Sequence, residues 1–373
     1  MFSNEIADDV KTLPAGGAVD VFDASGAFVG RGYANPRSLI SVRIVSRRRK
    51  EDIDSPAFLA DRLREALAYR TAIYPDRTAM RLVHAEGDGL PGLVIDRYGD
   101  VLVAQITTLG IEVRKEALRQ AITEVFAPKG VVLRSDTRMR DLEGMTGDEG
   151  VWWGDVPERI AVDENGVKFL VDPQGSQKTG HFFDQAENRR YAATLSRGRN
   201  VLDLYCNTGG FGLHAAKAGA EHVTCVDIAE SNVARVRENA IENGVGDKVE
   251  AVCSEGKEFL EKAVADGRRF GVVMVDPPAF AKSRKVANQA IRGYRDVNAL
   301  ALLLVTEGGF LVTSSCSYHV QEDRFVGAVA EAADKAGKRL RIVRRGEQSP
   351  DHPVLPAVPE SRYLKSYVFE VRS

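Results

Sequence analysis

Between residues 201 and 313 the chain repeats one pattern: a short apolar run, a polar or acidic turn, then a helical stretch. The runs cover residues 201–204, 222–226, 249–252, 272–275 and 310–313. Near-continuous apolar runs of this length, alternating with helices, predict a parallel sheet covered on both faces. Such a sheet takes its ligand outside the carboxyl ends of the strands, so the residues that follow each run carry the chemistry. Two later runs, 340–345 and 363–371, predict an antiparallel hairpin on the sheet edge.

The first run holds Asp203, and Tyr205-Cys206-Asn207-Thr208-Gly209-Gly210-Phe211-Gly212 then turns into a helix. The glycines let backbone approach a ligand where a side chain would collide. The spacing is not GxGxxG, which sets a pyrophosphate on a helix N-terminus, so a dehydrogenase reading fails. A carboxylate at this strand end repels pyrophosphate and suits a cation, such as an ammonium or a sulfonium. Asp227 ends the second run, where an acid can accept both ribose hydroxyls. Glu255 follows the third, within range of an adenine. Each acid alone reads equally well as a helix cap or a solvated side chain. Taken in order they describe a pocket for S-adenosylmethionine, with Asp203, Asn207, Gly209, Phe211, Asp227, Ile228, Glu255, Asp276 and Pro277 as its residues.

The fourth run delivers Asp276-Pro277-Pro278-Ala279-Phe280, and the fifth leads into Thr313-Ser314-Ser315-Cys316-Ser317. Two prolines stiffen the backbone after the acid, so the turn can hold a planar base. Methyltransferases acting on base amino groups carry a similar tetrad, but with an aromatic directly after the prolines. Here Ala279 intervenes. A cysteine at a strand tip among small polar residues is placed for nucleophilic attack, although a lone cysteine is more often a core residue. A thiol is useful for one reaction in particular. Carbon 5 of cytosine is a poor nucleophile, and thiolate addition at carbon 6 makes it enamine-like. A proton donor at ring N3 assists, and Asp276 fits that role when protonated. A thiol with pKa near ~8.5 is only a few per cent ionised at pH 7, so the site must assist its ionisation. The base that later removes the carbon 5 hydrogen is not evident; His319 and water are both candidates.

Composition bounds the rest. At roughly 150 residues per domain, 373 residues make two or three domains. Texture divides the chain at residues 1–58, 59–165 and 166–373: short β-runs, then an α+β pattern with a helix over 56–74 and another over 111–126, then the α/β repeat. Net charge is −2, so nucleic acid must be met by local basic patches. One such patch spans residues 31–50, with seven basic residues and no acid. It reads either as protective charge on a strand edge or as a phosphate-contacting surface. The longest apolar run, 299–305, is far short of the ~20 residues of a membrane helix. The acidic N-terminal stretch has no signal-peptide core. Four cysteines without a CxxC pair predict neither zinc nor disulfides, hence a reducing cytoplasm.

With these residues in view, the chain resembles the bacterial PUA-domain-containing 23S ribosomal RNA cytosine-5 methyltransferases. The likeness runs over nearly the whole length. It includes Gly89-Leu90-Pro91-Gly92-Leu93-Val94 with Asp96, Gln177-Lys178-Thr179-Gly180 with Asp184-Gln185 and Asn188, and the Asp203 loop. It continues through Asp276 to Ser283, Gly293-Tyr294 with Asn298, Ser315-Cys316-Ser317 and Asp351-His352-Pro353. The resemblance implies a small β PUA-like domain (1–58), a central α+β domain (59–165) and a class I, Rossmann-like methyltransferase domain with a mostly parallel seven-stranded sheet (166–373). It implies S-adenosylmethionine as cofactor, Cys316 as nucleophile and ribosomal RNA as partner. It also implies that Lys178, Thr179 and Gly180 cover the cofactor. Two departures stand out. The chain starts at Met1-Phe2-Ser3, partway through the family's first strand, and Ala279 replaces the second cysteine that other RNA cytosine-5 methyltransferases use for product release.

A paired cytosine cannot reach a thiol, so the target is unpaired or flipped out. Phe280 can stack on it. Lys282, Arg284, Lys285 and Arg292, together with Arg47, Arg48 and Arg49, are the expected RNA contacts. Two alternatives stay open: an N-methyltransferase on an exocyclic amino group, which would not need Cys316, and a non-catalytic RNA-binding ribosome assembly factor. The sequence predicts no metal and no membrane partner, and leaves a homodimer open.

Overall fold

Alternating apolar residues punctuated by turns build the N-terminal sheet. β1 (Ala18–Phe22), β2 (Phe28–Ala34) and β3 (Val42–Ser46) pair antiparallel in that order. The computed structural model describes residues 1–135, 138–175, 179–281 and 284–373, the side chains of residues 138 and 284 excepted. Within it the chain forms two compact units. The first comprises Met1–Val162, Val171–Phe183 and Pro350–Ala357, and the second Asp163–Leu170, Asp184–Ser349 and Val358–Ser373. The three-part division by texture therefore differs from the division by contact. Segments 171–183 and 350–357 fold with the N-terminal part, and Tyr33 and Val45 of the small sheet share one core with Leu59, Leu63 and Leu118.

The first unit continues with α1 (Pro56–Ile73), where Ser55 Oγ accepts from the Phe58 amide at 3.2 Å and Pro56 opens the first turn. A five-stranded sheet follows in the order β4 (Ala79–His84), β5 (Leu93–Tyr98), β6 (Val101–Ile106), β7 (Gly130–Arg134) and β8 (Glu149–Gly154). Only β6 and β7 run parallel. The helix expected over 111–126 is broken into α2 (Leu109–Glu112) and α3 (Lys115–Phe126). Between them Arg114 is buried and turns back to donate to the carbonyls of Ile53, Gly16 and Gly110 at 3.2, 2.8 and 2.6 Å. These bonds tie the junction between the two helices to Gly16 and Ile53. A short α4 (Arg138–Glu143) precedes β8, whose Trp152 and Trp153 pack against this core.

β9 (Ile160–Glu164) and β10 (Val167–Val171) form a two-stranded hairpin. Its turn residues Asn165 and Gly166 have φ of 54° and 84°, the left-handed pair a tight hairpin requires.

After α5 (Ala186–Thr194) the second unit alternates as expected: β11 (Asn200–Leu204), α6 (Gly210–Lys217), β12 (His222–Asp227), α7 (Glu230–Glu242), β13 (Val249–Cys253), α8 (Gly256–Ala265), β14 (Phe270–Val275), α9 (Ala287–Leu304), β15 (Val305–Ser315), α10 (Glu322–Lys335), β16 (Arg339–Gly346) and β17 (Lys365–Arg372). The seven strands order as β13-β12-β11-β14-β15-β17-β16. The first five are mutually parallel, and β17 pairs antiparallel with both neighbours. Val201, Leu202, Leu204, Val272 and Val273 are fully buried, as strands covered on both faces must be. Strand order across the sheet reverses between β11 and β14, and in open sheets of this kind ligands bind outside the carboxyl ends at such a switch point.

Candidate active site

The turn after β11 is built from backbone that few sequences tolerate. Tyr205, Asn207 and Gly209 all have positive φ, at 63°, 51° and 89°. A tyrosine in this region is strained, and such strain persists only where surroundings hold it. Here the Cys206 amide donates to Val226 O at 3.0 Å and the Asn207 amide to Asp227 Oδ2 at 2.9 Å. The Tyr205 ring lies so close to Gly256 that an added Cβ there would sit 2.7 Å from it.

Asp203 is buried, and its Oδ2 accepts from the Gly212 amide at 2.7 Å. It therefore ties the strand to α6 from inside the fold. Burial pushes its pKa up to about 7, and the Asp276 and Asp227 carboxylates push the same way, against Gly212 and Arg189. Phe211 is also interior, with the Arg189 guanidinium 5.8 Å from its ring centre. Asp227 accepts from the Ala229 amide and Asn232 Nδ2, each at 3.0 Å, through Oδ1. A carboxylate has room for further donors such as hydroxyls. Beside it Ile228 is 72% exposed, an apolar side chain presented to solvent at a strand tip. Glu255 caps α8 through the Glu258 amide at 2.9 Å.

Across the switch point Asp276 and Cys316 follow neighbouring strands, with Val275 opposite Thr313 in the β14–β15 register. Gln185 Nε2 donates to Asp276 Oδ2 at 2.9 Å, and Asn188 Nδ2 donates to Gln185 Oε1 at 2.7 Å. Pro277 is buried and fixes the turn, while Pro278 is exposed. Cys316 is half-buried and lies outside the hydrophobic core. Both its neighbours are fully buried. Ser315 Oγ donates to Tyr294 Oη at 2.9 Å, and Tyr294 Oη and Ser317 Oγ share a hydrogen bond of 2.9 Å. Ser317 Oγ also accepts from the Ala281 amide at 3.2 Å, which joins the cysteine loop to the turn after Asp276. Burial pushes the Tyr294 phenol up, so it stays a hydroxyl. The sequence reading assigned no role to Gln185, Asn188 or Tyr294. Their signal lay only in motif membership, because their partners are far away along the chain.

Phe280 is half-buried, its ring 4.7 Å from that of Tyr294. Lys285, in the short turn before α9, and Arg292, in α9, are exposed. In the first unit Arg47, Arg48 and Arg49 are exposed. Arg47 donates to Val29 O at 2.6 Å and Arg49 stacks 5.3 Å from the Phe22 ring centre. The groove that Arg47 and Arg48 line with Arg62 also holds Glu51, Asp61 and Glu65, so its charge is mixed. Thr179 and Gly180 belong to the first unit, where Tyr98 Oη donates to Thr179 O at 2.9 Å and accepts from the His181 amide at 2.8 Å. Lys178, Lys282 and the Arg284 side chain lie outside the described residues.

Among the described residues no group of three or more His, Cys, Asp or Glu side chains is arranged to hold a metal ion, and no helix is long and apolar enough to cross a membrane.

Comparison with known proteins agrees with this architecture. A model of S-adenosylmethionine-dependent methyltransferases matches residues 90–370, and a PUA-like domain model matches residues 1–47. The chain is 39% identical to the ribosomal RNA large subunit methyltransferase I of Shewanella denitrificans, over all of this chain and 94% of that one. Among solved structures, one described as a SAM-dependent methyltransferase from Streptococcus mutans superposes with a TM-score of 0.83 at 20% identity, covering 96% of this chain and 92% of that one. Another, described as a methyltransferase complexed with SAH, superposes at 0.84 with 19% identity, covering 96% of this chain and 92% of that one.

Proposed function

The chain belongs to the S-adenosylmethionine-dependent methyltransferases, in the family of ribosomal RNA large subunit methyltransferase I, and from that membership we propose that it methylates carbon 5 of a cytosine in large-subunit ribosomal RNA. The residues at the switch point fit the cofactor. Asp203, Asp227 and Asp276 interact through like charge, and a site short of positive charge is relieved by a cationic ligand. Asp227 has carboxylate oxygens for ribose hydroxyls, Ile228 an apolar face for a purine, and the Asn207–Gly209 backbone close approach. When bound, S-adenosylmethionine supplies an electrophilic methyl group on a sulfonium sulfur.

The remaining work falls to side chains. The Cys316 thiolate adds to carbon 6 of the target cytosine, and the electron pair of the 5,6 double bond becomes available at carbon 5. Gln185 holds the Asp276 carboxyl through Oδ2, and in its protonated form Asp276 donates to N3 of the target ring. Asn188 holds the far side of the Gln185 amide and sets which end of it points at Asp276. Once carbon 5 carries the methyl group, loss of its hydrogen as a proton expels the thiolate and restores aromaticity. Phe280 supplies a ring face for the base, and Lys285, Arg292 and the arginines at 47–49 supply phosphate contacts.

The single observation that carries this reading is that half-buried Cys316 and Asp276 directly follow two neighbouring parallel strands, β15 and β14. It is tested by mapping cytosine methylation in ribosomal RNA from cells with the gene, without it, and with Cys316→Ala. One large-subunit cytosine should lose its methyl group in the last two. Purified Cys316→Ala should lose turnover by on the order of 10³ or more. An unchanged map refutes the substrate, and full turnover without the thiol points to an exocyclic amino group as acceptor.

A further inference from the structure

A cysteine nucleophile is helped to ionise by a nearby cation. Asp276 and Asp203 are acids, and Tyr294 and the two serines are neutral hydroxyls. A cation comes instead from β17. Its first residue, Lys365, stands opposite Ser315 in the antiparallel register with β15, one residue before the cysteine. Lys365 Nζ donates to Ser317 O at 2.8 Å and to Val320 O at 3.0 Å. Both carbonyls belong to the loop that carries Cys316. An ammonium has three hydrogens, and these two bonds use two of them.

We propose that Lys365 is a positioning residue for the Cys316 nucleophile: it clamps the 317–320 backbone and, at neutral pH, brings a positive charge to the loop that carries the sulfur, against which the thiolate forms. This rests on Cys316 being the nucleophile of the proposed reaction. The proton balance is simple. The thiol proton leaves to solvent, the sulfur keeps the electron pair that becomes the bond to carbon 6, and Lys365 retains its own protons throughout.

The surroundings bear this out. The charged and titratable groups at this corner include Tyr318 and His319 of the clamped loop, Tyr294 from α9, Glu322 at the start of α10, Arg345 from β16, Arg362 ahead of β17 and Tyr367 from β17. The Glu322 carboxylate is already engaged by Arg345 at 2.8 Å and by the Tyr367 hydroxyl. Its neutralising effect on Lys365 is therefore shared. Partial burial lowers the Lys365 pKa to about 8, with Cys316 and Glu322 opposing the shift. At pH 7 the group is still mostly ammonium. A half-buried lysine spent on two carbonyls is poor economy for stability alone, because the same strand could pair without desolvating a charge.

The test is the pH dependence of Cys316 alkylation by iodoacetamide in the full-length protein, read peptide by peptide by mass spectrometry from about pH 6 to about pH 10. An opposite charge within a few ångströms moves a pKa by about 1 to 3 units. Lys365→Met should therefore raise the Cys316 midpoint by at least about one unit and slow its alkylation at pH 7 roughly ten-fold. Lys365→Arg should keep both. Lys365→Gln separates the two roles, since its amide can still reach a carbonyl but carries no charge, and it should behave as Met does. Exposed Cys253 reports reagent reactivity, and buried Cys206 and Cys225 report unfolding, because they react only if the fold opens. Should Lys365→Met expose them, the Gln variant decides. An unchanged Cys316 midpoint in a folded variant overturns the proposal. The two ideas fail separately: retained turnover in Cys316→Ala removes the nucleophile, whereas an unchanged alkylation profile with an inactive Cys316→Ala removes only Lys365.

Discussion

Asp203 shows how one residue can report on the site. Its carboxyl is held at about 7 chiefly by burial, against an ordinary value of 3.8. Since the folded value is raised, the folded chain keeps a proton that the unfolded chain gives up. The contribution to stability is present below the unfolded value and is lost as pH rises to about 7. Asp203→Asn keeps an acceptor for the Gly212 amide and removes the titration. Thermal unfolding should show the unmodified protein losing stability relative to this variant between about pH 4 and pH 7, and a constant difference would contradict the assignment. Binding of a cation in the crevice favours the ionised form, so calorimetry near pH 6 in buffers of different ionisation heat should register proton release with S-adenosylmethionine. The sequence put this acid on the first strand of the repeat, and the structure has it within β11, one residue before its end. What it could not show is that the side chain turns inward to α6, because Gly212 is its partner only once the turn has folded.

At the scale of elements, the site is held by tips and turns that brace one another. Tyr294 of α9 binds both serines flanking Cys316, and Ser317 reaches the turn after Asp276 through Ala281. Tyr294→Phe keeps the ring packing on Phe280 and Phe325 and deletes only the hydroxyl. It leaves buried Ser315 and Ser317 hydroxyls without that partner, which costs about 1–3 kcal/mol. The thermal midpoint should fall, and kcat should fall more than KM changes, because the thiol loses its orientation. Unaltered kcat would sever the tyrosine from the nucleophile. The strands of this region were legible from runs of Val, Leu and Ile, and their ends from the polar residues that follow. The hairpin of β9 and β10 was harder, since Asp163 and Lys168 dilute a short apolar alternation even though Asn165-Gly166 marks the turn. At the break in the helix over 111–126, Arg114 reaches carbonyls at Gly16 and Ile53, distant contacts that periodicity does not encode.

For the whole molecule, a net charge of −2 with basic side chains gathered at 47–49 and around the start of α9 fits selective recognition of one RNA site better than coating of any RNA. The division into two units draws on sequence-distant segments. Asp351 Oδ2 accepts from the Arg81 amide at 3.0 Å and Arg70 donates to Asp351 O at 2.6 Å, so residues 350–357 fold back onto β4 and α1. A buried aspartate ahead of His352 and Pro353 gives no sign in sequence of which strand it will meet. The parallel character of the second unit's sheet, by contrast, follows from the alternation of strand and helix, whereas the order of its seven strands, and with it the adjacency of the strands that precede Asp276 and Cys316, is read from the structure. That adjacency is the centre of the account, and RNA substrate carrying 5-fluorocytosine examines it most directly. Fluorine cannot leave as a proton does, so methylation should stall with the RNA covalently attached, and peptide mapping of the trapped complex should place the bond on Cys316. Active enzyme that forms no adduct, or an adduct on another residue, would contradict it.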